Sequence, residues 1–209
     1  MKDDTALISQ ITNEALARFT QKHEIREQAL RTSREVIRSS STAIRAIHRN
    51  ELDKAQAMVQ ATGRLVSETR DLLRDHQDLY FTGFTQDAQK EYAESCAVYA
   101  FIAGTPLPRP DDLGVETAPY LNGLAEAASE LRRYILDSLR RDDDSRCEEL
   151  MEKMDEVYNV MVVMDFPDAL TNGLRRTTDA LRAVLERTRG DLTLAVRQRR
   201  LEGKLAGQE

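Results

Sequence analysis

The sequence predicts an all-α protein, an antiparallel bundle of about six or seven helices in a single domain over residues 1–209. Two observations carry that expectation. The composition is rich in Ala, Leu, Arg and Glu, with only 9 Gly, 5 Pro and no Trp in 209 residues. Apolar residues recur at helical spacing throughout, and no useful stretch alternates with the period of a strand.

The elements follow in order. Helical material runs from about Asp4 to His48, with a break expected near Lys22 and His23. Arg49-Asn50-Glu51 reads as a turn, and a second helix covers about Leu52 to Asp75, with Met58, Leu65, Val66, Leu72 and Leu73 as its apolar positions. Gln77 to Thr85 is a connector, after which a helix runs to Gly104, a suitable C-cap. Thr105 to Gly114 is the main loop, with Pro106, Pro108 and Pro110. Pro119 fits the first turn of the next helix, to about Arg141. Asp142-Asp143-Asp144-Ser145 supplies the N-cap and acidic start of a helix reaching about Met164. Pro167 forces a tight link, and the last helix starts near Asp168, with Gly190 as a point of kinking or termination. The tail from about residue 198 is expected to lack fixed structure.

Bulk chemistry narrows the function. No apolar run approaches the roughly 18 residues of a spanning helix, and the N-terminus lacks a signal-peptide pattern. A cytoplasmic, membrane-independent protein is expected. Cys96 and Cys147 read as reduced, packed thiols. The net charge of −6 is the wrong sign for a simple nucleic-acid binder, so charge distribution matters more than the sum.

Glu91 and Glu94 are the most informative residues. At about 100° per residue they fall on the same helix side as Val98, Phe101 and Ile102. A carboxylate turned into an apolar stripe is costly unless paired, hydrogen-bonded, protonated or metal-bound. Glu126 and Glu130 share another helix face with Arg133 and Asp137, opposite Leu121, Leu124, Leu131 and Ile135. On its own that face reads as solvated. If it meets the first pair, the carboxylates form the hard oxygen cage that Mg²⁺ prefers. None of the histidines, His23, His48 and His76, stands three residues after a Glu, which excludes a Glu-x-x-His di-iron site. Gly-rich phosphate loops and Gly-x-Ser-x-Gly elbows are likewise missing from the sequence.

A second pattern lies on the helix ending near Arg49. Arg31, Arg34, Arg38, Arg45 and Arg49 fall within roughly 60° of one another, and Leu30, Val36, Ile37, Ile44 and Ile47 take the other side. Guanidinium forks bind phosphate oxygens in pairs. The competing reading is a solvated face whose arginines pair with acidic neighbours on other helices.

Together these segments resemble the translin and translin-associated factor X (Trax) family. The likeness rests on RTSREVIRSSSTAIRAIHR at Arg31–Arg49, EYAES at Glu91–Ser95 (Glu-Tyr-x-Glu-Ala in Trax chains), and YLNGLAEAASELRR at Tyr120–Arg133. MDFPDAL at Met164–Leu170, Leu174-Arg-Arg and Arg187-Thr-Arg-Gly-Asp complete the ordered set. The resemblance implies an all-α, translin-like bundle assembling into a hollow homo-octamer that binds single-stranded RNA, with single-stranded DNA as a second ligand. On the Trax side it implies an Mg²⁺-dependent endoribonuclease, with Mn²⁺ as a substitute metal. Its acidic positions fall on Glu91, Glu94, Glu126 and Glu130: the resemblance implies Glu91, Glu94 and Glu130 as metal holders and Glu126 as a further ligand or the residue that orients water, and the family commonly has Asp at the position of Glu126. Arg133 is then placed to steady the scissile phosphate, and the arginine stripe to hold the RNA backbone. Translin chains lack the first acidic pair. The basic, aromatic and His-rich binding element of translin is not recognisable around Thr82 to Lys90. The alternative is a non-catalytic octameric binder of single-stranded DNA or RNA.

Overall fold

The computed structural model describes residues 2–206, and every regular element among them is helical. The helices are α1 (Lys2–His48), α2 (Leu52–Leu72), α3 (Gln77–Tyr80), α4 (Gly83–Ala103), α5 (Pro110–Leu113), α6 (Thr117–Leu139), α7 (Cys147–Met161), α8 (Asp168–Thr171) and α9 (Leu174–Ala206). Three of these are single turns, so six long helices build the bundle, within the expected number.

α4 is the centre of the bundle. It packs against α6 on one side and α1 and α2 on the other, while α7 and α9 close over the far side of α6. The main core joins Ile47 of α1, Val98 of α4, Leu131 and Ile135 of α6, Leu150 and Met154 of α7, and Leu181 and Leu185 of α9, all essentially fully buried. The apolar seam on α9 is therefore intramolecular core at Leu174, Leu181, Leu185 and Leu192. Arg146 ties α7 to the end of α4 by donating to the carbonyls of Ile102 and Phe101.

Three expectations need correction. α1 runs unbroken through Lys22 and His23, because no Gly or Pro interrupts it. α9 likewise passes Gly190 and continues to Ala206, so residues 198–206 are helical and the remaining tail lies outside the described residues. A lone helical Gly costs only about 1 kcal/mol relative to Ala, which is too little to end a helix of 33 residues. Conversely, the chain after Pro167 makes only the single turn α8 before Asn172 and Gly173 both enter the left-handed region, and α9 begins after them. The cap at Gly104 forms as expected, with φ 68°.

Gly123 positions the site. A Cβ there would lie 2.5 Å from the carbonyl oxygen of Lys90 and 2.9 Å from the amide nitrogen of Glu94. Both are backbone atoms of α4, so α4 and α6 approach this closely only with hydrogen at that position. Gly123→Ala is expected to destabilise the fold by about 1–3 kcal/mol and to spread the acidic residues of the two helices. Thermal unfolding monitored by circular dichroism checks the first effect.

Candidate functional site

Glu91, Glu94 and Glu126 converge between α4 and α6. Each offers a carboxylate oxygen, and these oxygens lie within 4.8 Å of one another. The α4 pair sits one helical turn apart above a stripe that sinks into the core at Val98 and Ile102. Close packing across Gly123 brings α6 and Glu126 alongside. All three residues are half-buried, open enough to admit a small ligand.

Charge in this cluster is only partly compensated. Lys90 Nζ donates to Glu126 at 2.9 and 2.8 Å to its two oxygens and lies 3.3 Å from Glu91 Oε1. Burial raises the Glu94 carboxyl first, and its neighbours Glu91, Glu126 and Glu130 raise it further, to about 8, against the pull of Lys90. Glu94 has no protein hydrogen-bond donor among the described residues. Three hard oxygen donors, one of them unpaired and reluctant to ionise, suit a small divalent cation such as Mg²⁺ or Mn²⁺.

The sign of the pH dependence follows. The folded-state value of Glu94 is raised above its ordinary 4.5, so an unfolded chain ionises there first. Stability from this group is present below pH 4.5 and falls as pH rises toward 8. A cation bound to Glu94 would have to displace its proton. Apparent Mn²⁺ affinity is therefore expected to rise by up to about tenfold per pH unit below pH 8 and flatten above it. Calorimetry in buffers of different ionisation enthalpy reads the released proton, and Glu94→Gln should remove its release.

Glu130, expected among the metal holders, is not one of the three whose oxygens converge, because its carboxylate is turned to His48. Its Oε1 is 2.5 Å from His48 Nε2 at the end of α1. Arg133 lies 3.9 Å from the same oxygen, 4.0 Å from Asp137, and is largely exposed. Glu130 nonetheless lies close enough to raise Glu94 electrostatically. Periodicity placed the acidic residues, but it did not single out Lys90 or His48. Lys90 was legible only as the neighbour of Glu91, and His48 served only in excluding iron.

Arg31, Arg34, Arg38 and Arg45 lie exposed along α1, and Arg49 lies exposed in the turn after it. None makes an ion pair among the described residues; Arg45 instead donates to Ser41 and Thr42, both at 2.8 Å. A shallow groove beside them is lined by Arg31, Glu35, Arg38, Ser39 and Thr42. Pairing with acidic helices, the competing reading, is not what this face does. The stripe runs to the end of α1, where His48 touches Glu130.

Both thiols are buried, and burial pushes Cys96 up to about 12 and Cys147 to about 11, so neither is a nucleophile.

The six long helices, with the acidic residues between α4 and α6 and the arginines on α1, adopt the all-α translin fold. Two solved structures of AfC3PO, one of them a complex with duplex RNA, match it at TM-score 0.83 and 32% identity, covering 90% of this chain and 97% of theirs. The chain belongs to the translin/Trax family. Apo-NeC3PO shares the fold at TM-score 0.78 and 19% identity, over 87% of this chain and 96% of that one. An uncharacterised protein of Methanocaldococcus jannaschii is 26% identical over 186 residues, 88% of this chain and 82% of that protein. No family model matches the sequence. No helix among the described residues is long and apolar enough to cross a membrane.

Proposed function

We propose that the protein is an Mg²⁺-dependent endoribonuclease acting on single-stranded RNA inside an oligomeric shell. The observation that carries this reading is the convergence of Glu91, Glu94 and Glu126 within 4.8 Å. These three would hold the metal. Bound there, Mg²⁺ would polarise a phosphoryl oxygen and supply a nucleophilic water near neutral pH. Glu130 neighbours Glu94, and its Oε2 has no hydrogen bond among the described residues, leaving it available to accept from a water. Lys90, fixed on Glu126, offsets part of the acidic charge that would otherwise repel a phosphodiester. Arg133, exposed at the rim, offers a fork to the scissile phosphate.

The arginine face of α1 leads RNA to this cluster. It binds backbone and carries no base readout. The duplex RNA bound by AfC3PO supports RNA as the ligand class. Assembly has support in exposed apolar side chains: Leu7, Ile8, Ile11, Leu16 and Phe19 lie on the first half of α1. A helix of 47 residues extends about 70 Å, and a second copy is the natural cover for its apolar side in a homo-octamer. A cytoplasmic setting fits the two free, buried cysteines.

The deciding experiment incubates labelled single-stranded RNA with the protein in Mg²⁺ and in EDTA. Cleavage in Mg²⁺ that stops in EDTA is expected. Salt-dependent binding in EDTA with no turnover under either condition would instead identify a non-catalytic binder.

A further inference from the structure

His48 occupies an unusual position. It lies in the last turn of α1 with its side chain only 3% exposed, and it reaches across to α6 to bond Glu130. The ring nitrogen Nε2 and the carboxylate oxygen Oε1 share this hydrogen bond. His48 Nδ1 is buried and has no partner among the described residues, so Nε2–Glu130 is the ring's one polar contact among them.

That contact joins two helices that do not pack chiefly on each other. α1 packs on α2 and α4, and α6 on α4, α7 and α9. α1 carries the arginines and α6 carries Glu126, Glu130 and Arg133. His48 is thus a direct tie between the phosphate-binding helix and one of the two acidic helices. It also fixes the Glu130 carboxylate. With Oε1 engaged by His48 at 2.5 Å, the glutamate cannot rotate freely, and it is held close enough to Glu94 to raise that carboxyl electrostatically. An unanchored Glu side chain loses rotamer freedom only at an entropic cost, which the imidazole has already met.

We propose that His48 is a positioning residue: it anchors Glu130 beside the Glu91–Glu94–Glu126 cluster and sets the register between the arginine face and the site of cleavage. The assignment rests on the metal reading above. Partners that orient groups around a metal typically change metal affinity or activity by about 10- to 100-fold when removed, and that is the effect expected here.

The test uses His48→Ala, His48→Gln and His48→Asn in the full chain, each checked by thermal melt. A glutamine amide nitrogen reaches about as far as Nε2, whereas that of asparagine reaches only as far as Nδ1. Two quantities are read: Mn²⁺ affinity by calorimetry, and kcat and KM for a single-stranded RNA. His48→Ala is expected to weaken Mn²⁺ binding or lower kcat by about 10- to 100-fold with little change in KM. Gln should restore most of the loss and Asn should not. If the Ala variant fails to fold, the Gln–Asn difference decides alone. Equal behaviour of Gln and Asn, or an Ala variant matching wild type in both quantities, overturns the assignment. A wild type that neither takes up Mn²⁺ nor cuts RNA removes the metal reading and this assignment together. One that does both while His48→Ala is unimpaired removes this assignment alone.

Discussion

Replacing Glu91 and Glu94 together by Ala is expected to lower RNA cleavage by more than about 100-fold, beyond the loss from disturbing a single orienting partner at a metal site. RNA binding at low salt should be little affected, because the arginine face lies on α1 and the pair lies on α4. Stability should not fall. Burial and three acidic neighbours raise the Glu94 carboxyl to about 8, so near neutral pH folding must keep it protonated at a cost, and truncating it removes that cost. An increase in melting temperature alongside lost cleavage would separate this site from a structural ion-pair network, in which removing one partner is destabilising. A denaturation curve and a gel-based cleavage assay on the same preparation read both effects. Undiminished cleavage by the double variant would overturn the site assignment.

The second large effect concerns binding. Arg31, Arg34 and Arg38 are exposed and lack acidic partners, so replacing all three by Ala removes charge without orphaning a carboxylate. With a salt slope of about 0.7 per neutralised phosphate on a single strand, three lost contacts should reduce the slope by about 2 and weaken binding about 50-fold at 0.15 M salt. KM should rise and kcat at saturating RNA should hold, because none of the three touches the carboxylates. Fluorescence anisotropy across a salt series measures the slope. An unchanged slope would mean that RNA takes another path.

How much of this was readable without coordinates differed by residue. The long helices were, because their apolar spacing matches the core that forms: Leu181, Leu185 and Leu192 on α9 all pack inward. Helix ends were readable where backbone chemistry compels them, as at Gly104 and Pro167. They were not where a signal is weak, as at Gly190, or where two successive residues share the cost of turning, as at Asn172 and Gly173. Glu91 and Glu94 stood out because acidic residues on a stripe leading to Val98 and Ile102 violate the helix pattern. Glu126 and Glu130 did not, since their face looks solvated until α4 lies against it. That apposition depends on a glycine, Gly123, whose role appears only when the α4 backbone is seen beside it. His48 and Lys90 were invisible for the same reason. Their partners are 82 and 36 residues away in sequence, and no periodicity reports such a pairing.

The central claim is that Glu91, Glu94 and Glu126 together hold the cation that serves RNA cleavage. Crystals grown in Mn²⁺ and measured at the manganese edge test it most directly. An anomalous peak bonded to oxygens of all three glutamates is expected, at roughly the 2.0–2.2 Å of a small divalent cation and oxygen. A Mn²⁺-active preparation whose crystals show no peak there, or show it only at other residues, would contradict it.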